Sequence, residues 1–187
     1  MPPLNRPIEL HHTPWVSLYR IGSYVYSHET RSDGKIVAVL GYLRKHPQFV
    51  LGRFEATPCH GNKIELVSLT GGVERNSPLH SARKELYEEA GYNLLAEKFI
   101  SLGTVRPSKS QDTVVFLYAV PINKGKPYMK CRGEGDEEDK KDDDFKDHYC
   151  QFVHWTDAIA SSDPLLVTLT VRLAMHLDFE NEMGLVR

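Results

Sequence analysis

Cysteine is scarce in this sequence, and its pattern excludes a protein built on disulfides. Three cysteines occur in 187 residues, Cys59, Cys131 and Cys150, and they form no CxxC pair. An odd number of widely spaced thiols is typical of a reducing compartment, so a cytoplasmic protein is expected. Histidines adjoin two of them, at 59–60 and 148–150, which leaves zinc open as an alternative. Their spacing fits no usual zinc site, so ordinary thiols are the simpler interpretation.

Long apolar runs and an excess of positive charge are missing as well. No apolar stretch approaches the roughly 20 residues of a membrane helix. Residues 1–15 lack the basic start and apolar core of a secretory signal. The formal net charge is −2, which disfavours broad nucleic-acid binding because phosphates are held by basic surfaces. We therefore expect neither a membrane nor a DNA partner.

Most of the chain is predicted to form strands around a core. Hydrophobic residues make up 41% of the chain, enough for one domain. Segments rich in β-branched and aromatic residues alternate with turn residues, which indicates strands. The predicted strands cover residues 15–27, 35–43, 49–54, 63–69, 98–105, 112–122 and 149–155. Helices are predicted at 78–90, 156–162 and 163–179, the last with Asp163 as its cap and Pro164 in its first turn.

The helix predicted between Pro78 and Ala90 has clear boundary signals. Ser77 before a proline suits a hydroxyl cap, and Gly91 suits a left-handed stop. At about 100° per residue, four apolar positions share the arc that should be buried. These positions are Leu79, Ala82, Leu86 and Ala90.

Three glutamates, Glu85, Glu88 and Glu89, occupy the arc beside that apolar one. Like charges at these spacings repel, and the helix dipole disfavours negative charge in the last two turns. Lys84 can pair with Glu88, but one lysine does not neutralise three carboxylates. A solvated acidic face is the ordinary explanation. A bound Mg²⁺ or Mn²⁺ is the alternative, because grouped hard oxygen ligands suit those ions.

The segment "GGVERNSPLHSARKELYEEAGY", Gly71–Tyr92, resembles the Nudix box. This box is the signature of a family that hydrolyses nucleoside diphosphates linked to another group. Its core is matched position by position by Glu85-Leu86-x-Glu88-Glu89-x-Gly91-Tyr92. The resemblance implies that the three glutamates are catalytic and hold Mg²⁺, with Mn²⁺ as an alternative. A backbone carbonyl near Thr70 or Gly71 would complete the metal shell.

Two positions depart from the box. The arginine before the first glutamate is Lys84 here, which keeps the charge but loses the fork geometry; Arg83 lies one residue earlier. The family's glutamate just before the helix is replaced by Asn76, and Glu74 is the nearest acid. The three principal glutamates remain in place.

The surroundings of the box resemble the ADP-ribose pyrophosphatase and nucleotide-sugar hydrolase branch of the family, over roughly residues 24–177. The resemblance is carried by "FVLGRFEATPCHGNKIELVSLTGGVE" (49–74) and "GTVRPSKSQDTVVFLYAV" (103–120). It implies candidate substrate-binding residues in both segments, although surface or core roles are the ordinary ones for such residues. The candidates are Arg53, Phe54, Arg106, Lys109 and Asp112.

The acidic segment Gly133–His148 has no apolar period and is typical of a solvated loop. It stands where the branch often has a flexible loop with a catalytic glutamate, so Glu137 and Glu138 are candidates, Glu138 first. Residues 1–35 resemble the extra N-terminal strands that the branch uses in dimerisation. We therefore predict an N-terminal extension (1–35), a Nudix domain (36–187) and a homodimer. The fold implied is an α/β/α sandwich with a mixed central sheet.

The reaction implied is Mg²⁺-dependent hydrolysis of ADP-ribose or a related nucleotide sugar. The products would be a nucleoside monophosphate and a sugar phosphate. Glu85 or a carboxylate of the acidic segment would accept the proton of the attacking water. Two alternatives remain open: a pyrophosphatase acting on dinucleotides or capped RNA ends, and a module that binds the nucleotide without cleaving it. Lys84 and the first half of the box, which is one residue short, favour the second.

Overall fold

The protein is described by a computed structural model that covers residues 6–75, 77–125, 129–130 and 148–177. Of residues 129–130 only the backbone is described. The strands are β1 (Ile8–His12), β2 (Val16–Ile21), β3 (Tyr24–Glu29), β4 (Lys35–Leu43), β5 (His46–Thr57), β6 (Lys63–Val67), β7 (Leu69–Gly72), β8 (Ile100–Val105), β9 (Val114–Ile122), β10 (Met129–Lys130) and β11 (Tyr149–His154). The helices are α1 (Pro78–Ala90), α2 (Trp155–Ile159) and α3 (Pro164–Leu177).

The main sheet is mixed and has β4 near its centre. Its strand order is β10-β11-β5-β4-β9-β8, and β6 and β7 pair with β5 and β4. β4 and β9 are parallel, whereas the other described pairs in this sheet are antiparallel. The apolar run Val37–Leu40 is completely buried, as expected for a strand covered on both faces.

Alternate side chains of β4 point to opposite faces of the sheet, so the core has two parts. Val37 and Val39 pack in the cluster that contains α1. Ala38 and Leu40 pack in the cluster that contains α2 and α3. The molecule therefore has three layers, α1 on one face and α2 with α3 on the other.

The N-terminal strands form a sheet of their own, in the order β1-β2-β3. The strand predicted at 15–27 is divided into a hairpin, because Gly22 takes the left-handed conformation (φ 61°) in the turn. Ser27 links this sheet to the loop before β9, since its N–H donates to the Ser110 carbonyl (2.8 Å) and its carbonyl accepts from Asp112 N (3.2 Å). The division of the chain at residue 35 into an extension and a domain stays a prediction.

The starts of the helices agree closely with the sequence prediction, whereas α2 ends at Ile159, three residues before the predicted end. α1 covers the predicted residues 78–90. α2 begins one residue before the predicted Thr156, and α3 begins at Pro164. None of the helices in the described ranges is long and apolar enough to cross a membrane.

Candidate active site

The start of α1 differs from the prediction in one respect. Ser77 precedes the helix, but its side chain makes no capping hydrogen bond, so the predicted hydroxyl cap is wrong. The Ser81 hydroxyl, one turn into the helix, instead accepts from the backbone N–H of Glu74 (2.8 Å). At the other end Gly91 is left-handed (φ 65°), and its N–H donates to the Tyr87 carbonyl (2.8 Å). This stop was predicted and is confirmed.

The buried face of α1 consists mainly of small residues: Ser81, Ala82, Leu86 and Ala90. Small side chains let a helix lie close to the sheet beneath it. The glutamates are consequently drawn toward the sheet. The side chains of Glu88 and Glu89 are only 17% and 15% exposed. An ordinary solvated acidic face is therefore not what the fold provides.

Glu85 lies against the end of β7, where Gly71 leaves room for it. A Cβ added to Gly71 would overlap the Glu85 carboxyl group. Burial, together with the nearby charges of Glu88 and Glu89, raises the pKa of Glu85 to about 7. The nearby charge of Lys84 thus offsets the effect of burial and of the two other glutamates only in part.

Glu89 is held from the neighbouring strand β5 by Arg53. The guanidinium Nη1 of Arg53 lies 3.0 Å from Glu89 Oε1, and its Nη2 lies 2.9 Å from Glu55 Oε2. Glu89 Oε2 and Arg53 Nε are both buried, and neither has a hydrogen-bond partner within the described part of the chain. One oxygen of Glu89 is therefore neutralised and the other is left without a donor.

Glu88 has its counter-charge on its own helix. Lys84 Nζ lies 3.5 Å from Glu88 Oε1 and donates to Glu74 Oε1 at 2.6 Å. The hydrogen bond to Glu74 raises the pKa of Lys84 and lowers that of Glu74. Arg83 turns away, because its Nε donates to the Leu94 carbonyl (2.9 Å). Glu74 thus reaches the helix although Asn76, outside the described residues, replaces the expected acid.

The donor set of this site fits a hard divalent cation. It offers carboxylate oxygens, one of them buried without a donor, beside a glutamate whose pKa is raised by burial. Oxygen ligands of this kind suit Mg²⁺ and Mn²⁺. Among the described residues, no three His, Cys, Asp or Glu side chains already converge on one point. Glu88 and Glu89 face Lys84 and Arg53 instead.

The same finding bears on the zinc alternative. Cys59 is exposed, whereas Cys150 is buried with its Sγ 3.5 Å from the Glu89 carbonyl oxygen. Neither belongs to a group of three potential ligands within the described residues, and the absence of zinc stays a prediction. Cys131 lies outside the described residues.

The structure separates two of the predicted substrate residues that are adjacent in sequence. Arg53 lies on the α1 face of β5 and contacts Glu89. Phe54 points to the opposite face by strand alternation, and its ring stacks on Tyr149 with centroids 4.8 Å apart. Phe54 is therefore not brought to the glutamates.

The other three substrate candidates lie together in the loop between β8 and β9. Arg106 Nη1 donates to the Asp112 carbonyl (2.7 Å), and the Asp112 carboxylate lies 3.0 Å from His28 Nδ1. The Lys109 carbonyl accepts from the Tyr24 hydroxyl. This loop leads into β9 beside the start of β4, the end of the sheet at which α1 begins. Glu137 and Glu138 lie outside the described residues.

Glu55 is a residue of this site that the sequence interpretation missed. It binds Arg53 and lies 3.8 Å from His148 Nδ1. A signal was present, because residues 53 and 55 of one strand must face the same side of the sheet.

Comparisons with known proteins support the fold and go no further. No family model matches the chain, and no curated protein matches it. It is similar to a solved structure described as an ADP compounds hydrolase, with a TM-score of 0.58. The match covers 95% of this chain and 97% of that one, at 13% identity. At so low an identity the likeness shows the fold alone, and it confirms the predicted Nudix-type α/β architecture with a mixed sheet.

Proposed function

We propose that the protein is a metal-dependent hydrolase of a nucleoside diphosphate linked to another group. The substrate proposed is ADP-ribose or a related nucleotide sugar, and the products are a nucleoside monophosphate and a sugar phosphate. Two findings support this proposal. They are the sheltered trio of glutamates on α1 and the fold shared with a protein described as an ADP compounds hydrolase.

One observation carries most of the weight. Glu85 is held against Gly71 at the end of β7, in a position that a side chain at residue 71 would occupy. Its burial raises its pKa to about 7, an unfavourable arrangement for a carboxylate that serves packing alone. Perturbed carboxylates of this kind are concentrated at functional sites.

The residues have the following proposed roles. Glu85, Glu88 and Glu89 would hold Mg²⁺ or Mn²⁺ with the Gly71 carbonyl, and the cation would neutralise the diphosphate and acidify a bound water. Glu85 is also proposed to accept the proton of the attacking water. Arg53 supplies positive charge between the glutamates and the substrate.

Four further residues belong to the proposal. Arg106, Lys109 and Asp112 are proposed to face the substrate from the loop between β8 and β9, at the end of the sheet where α1 begins. Glu138 stays the candidate for an additional carboxylate.

The decisive experiment is a substrate panel. The protein is incubated with ADP-ribose, other nucleotide sugars and dinucleotides, with Mg²⁺ or with EDTA, and products are separated by anion-exchange chromatography. We expect a monophosphate only with the metal, and loss of turnover in Glu88→Gln with substrate binding retained. Asp157→Asn, an equal charge change at an exposed position on α2, should leave turnover unchanged. Full activity in Glu88→Gln would contradict the proposal.

A second candidate function is a nucleotide-binding module without hydrolytic activity. Glu88 and Glu89 already have the counter-ions Lys84 and Arg53, which is the observation in its favour. Binding of ADP-ribose in the calorimeter without turnover of any member of the panel would support this candidate. Preferential turnover of dinucleotides or capped RNA ends over ADP-ribose would instead assign one of those molecules as the substrate.

We also propose that the protein is a cytoplasmic homodimer. Apolar side chains on and beside the N-terminal sheet remain at least 38% exposed, and such patches mark interaction surfaces. They are Ile8, Leu10, Trp15, Val16, Leu18, Tyr24 and Val25. Sedimentation velocity would test this assembly, since a monomer at all concentrations would exclude it.

A further inference from the structure

The structure contains a cavity of about 680 Å³ at the end of the main sheet where β4 and β9 finish. This volume lies within the range of about 300–1,000 Å³ that small-molecule sites have. Its lining residues include Pro47, Leu94 and Pro121, which are half-buried, and Tyr42 and Ile122, which are buried at the ends of β4 and β9. Arg44 N donates to the Ile122 carbonyl (3.0 Å), which fixes the ends of β4 and β9 to each other. The cavity is therefore built into the framework of the sheet.

The glutamates of α1 do not line the cavity, although Tyr92, three residues after Glu89, does. Gly71, which adjoins Glu85, pairs with Val37 in the first half of β4. Leu43, the last residue of β4, lies about 20 Å farther along the strand at 3.3 Å per residue. None of the three glutamates lines the cavity. It therefore needs an explanation of its own.

The rim of the cavity is positively charged. Arg44, Lys98 and Lys124 line it, and Glu97 is the one acid among the described lining residues. No ion pair joins any of these three cations to an acid within the described ranges. Three cations around one opening repel each other and attract anions. This is notable in a chain whose formal net charge is −2.

The walls and the rim differ in chemistry, and that difference defines the ligand. The half-buried Pro47, Leu94 and Pro121 among the lining residues offer apolar contact to a flat ring. Arginine and lysine at the opening bind phosphate oxygens, arginine through its planar fork. We propose that this cavity is a second binding site, for a small ligand that joins a planar ring to a phosphate group. A nucleoside monophosphate is the simplest molecule of this class.

Binding of AMP to the full chain tests the inference, with EDTA present so that the glutamate site holds no metal. Isothermal titration calorimetry compares the unchanged protein with Lys98→Glu and with Lys124→Glu. Each charge reversal should weaken AMP binding about 10-fold or more, because it replaces a charged donor with a repelling group. Lys63→Glu, the same change at an exposed position on β6, should leave the affinity unchanged.

Two further probes separate the parts of the ligand. Adenosine has the ring without the charge, and inorganic phosphate has the charge without the ring; both should bind at least about 10-fold more weakly than AMP. Phosphate binding as tight as AMP binding would overturn the assignment of the ring to the cavity walls.

The position of the ligand is read from amide chemical shifts. With AMP, the amides of Arg44, Asn123 and Lys124 should shift, and those of 85–89 should not. Shifts confined to 85–89, or an AMP affinity indifferent to both charge reversals, would overturn the inference. Neither result depends on hydrolysis, so a failure here is distinct from a failure of the proposed activity.

Discussion

The two long helices, α1 and α3, lie on opposite faces of one sheet and are built for different purposes. They have nearly equal lengths, 13 and 14 residues, and each begins with a proline. α3 buries large apolar side chains, Leu166, Leu169 and Leu173, together with Thr170. α1 buries mainly small residues and places three glutamates at its sheltered edge.

The ends of the two helices also differ, and α3 again has the more favourable contacts. Asp163 Oδ1 accepts from the backbone N–H of Leu165 (2.9 Å) at the start of α3, and Oδ2 accepts from Ser68 (2.6 Å). Ser77 gives α1 no side-chain cap, and its last turn contains no basic residue. Charges in the last two turns of α1 also oppose the helix dipole.

This difference shows where the fold gives up stability. α3 has a capped start and an apolar buried face, whereas α1 violates rules of charge and capping around Glu85. Natural proteins commonly accept such violations at functional sites and compensate for them elsewhere. The contrast between α3 and α1 therefore supports a functional rather than a structural role for the glutamates.

The largest expected effect comes from a change at the contact between β7 and α1, which has no counterpart at α3. Gly71→Ala adds a Cβ that overlaps the Glu85 carboxyl group, so Glu85 must move. We expect kcat/KM for the substrate found in the panel to fall about 100-fold or more, because small displacements of reacting groups have effects of this size. Initial rates with Mg²⁺ measure it.

Gly72→Ala is the matched control for this change. The next residue of β7 points to the other side, and a Cβ there would meet Ser32 Cβ at 3.0 Å rather than Glu85. Activity should be retained in this variant. Equal losses in both variants would mean that β7 tolerates no added side chain, and the role assigned to Gly71 would be wrong.

The parts of the molecule that depend on local chemistry could be predicted from sequence. The run Lys35–Leu43 is apolar enough to identify a strand buried on both faces, and Gly91 marks the end of α1. The spacing of the glutamates at 85, 88 and 89 placed them on one edge of the helix.

The rest depends on contacts between distant segments. Arg53 reaches Glu89 only because β5 passes beside α1, and no periodicity within either segment reports that neighbourhood. The stacking of Phe54 on Tyr149 likewise joins two distant segments, since Tyr149 comes from β11. Ser81 accepts the Glu74 N–H because the chain bends back before α1, a turn that the Ser-Pro signal does not specify.

A smaller effect is expected in the pH dependence of stability, which tests the buried charge on α1. The pKa of Glu85 is about 7 in the folded protein against an ordinary value of 4.5. Between these values the folded state binds the proton more tightly, so the free energy of unfolding falls as pH rises through this window. Glu85→Gln removes the charge and should stabilise the metal-free protein by about 2 kcal/mol at pH 8, with little effect at pH 4.5.

Urea unfolding in EDTA between pH 4.5 and 8 measures this difference. The free energies of unfolding of the unchanged protein and of Glu85→Gln should diverge as pH rises. In the variant, α1 would lack the buried charge that distinguishes it from α3. Parallel curves would show that Glu85 is charged at no cost, which would remove the physical reason for assigning it a site.

The smallest expected effect compares the two helix starts directly. Asp163→Ala should destabilise the protein by about 1–2 kcal/mol, since it removes the cap of α3 and leaves Ser68 without its acceptor. Ser77→Ala should change the free energy of unfolding by less than about 0.5 kcal/mol, because the side chain that it removes caps nothing. Urea midpoints with unchanged m-values give both numbers. A loss in Ser77→Ala as large as in Asp163→Ala would mean that α1 is capped in solution after all, and the two helices would no longer differ at their first turns.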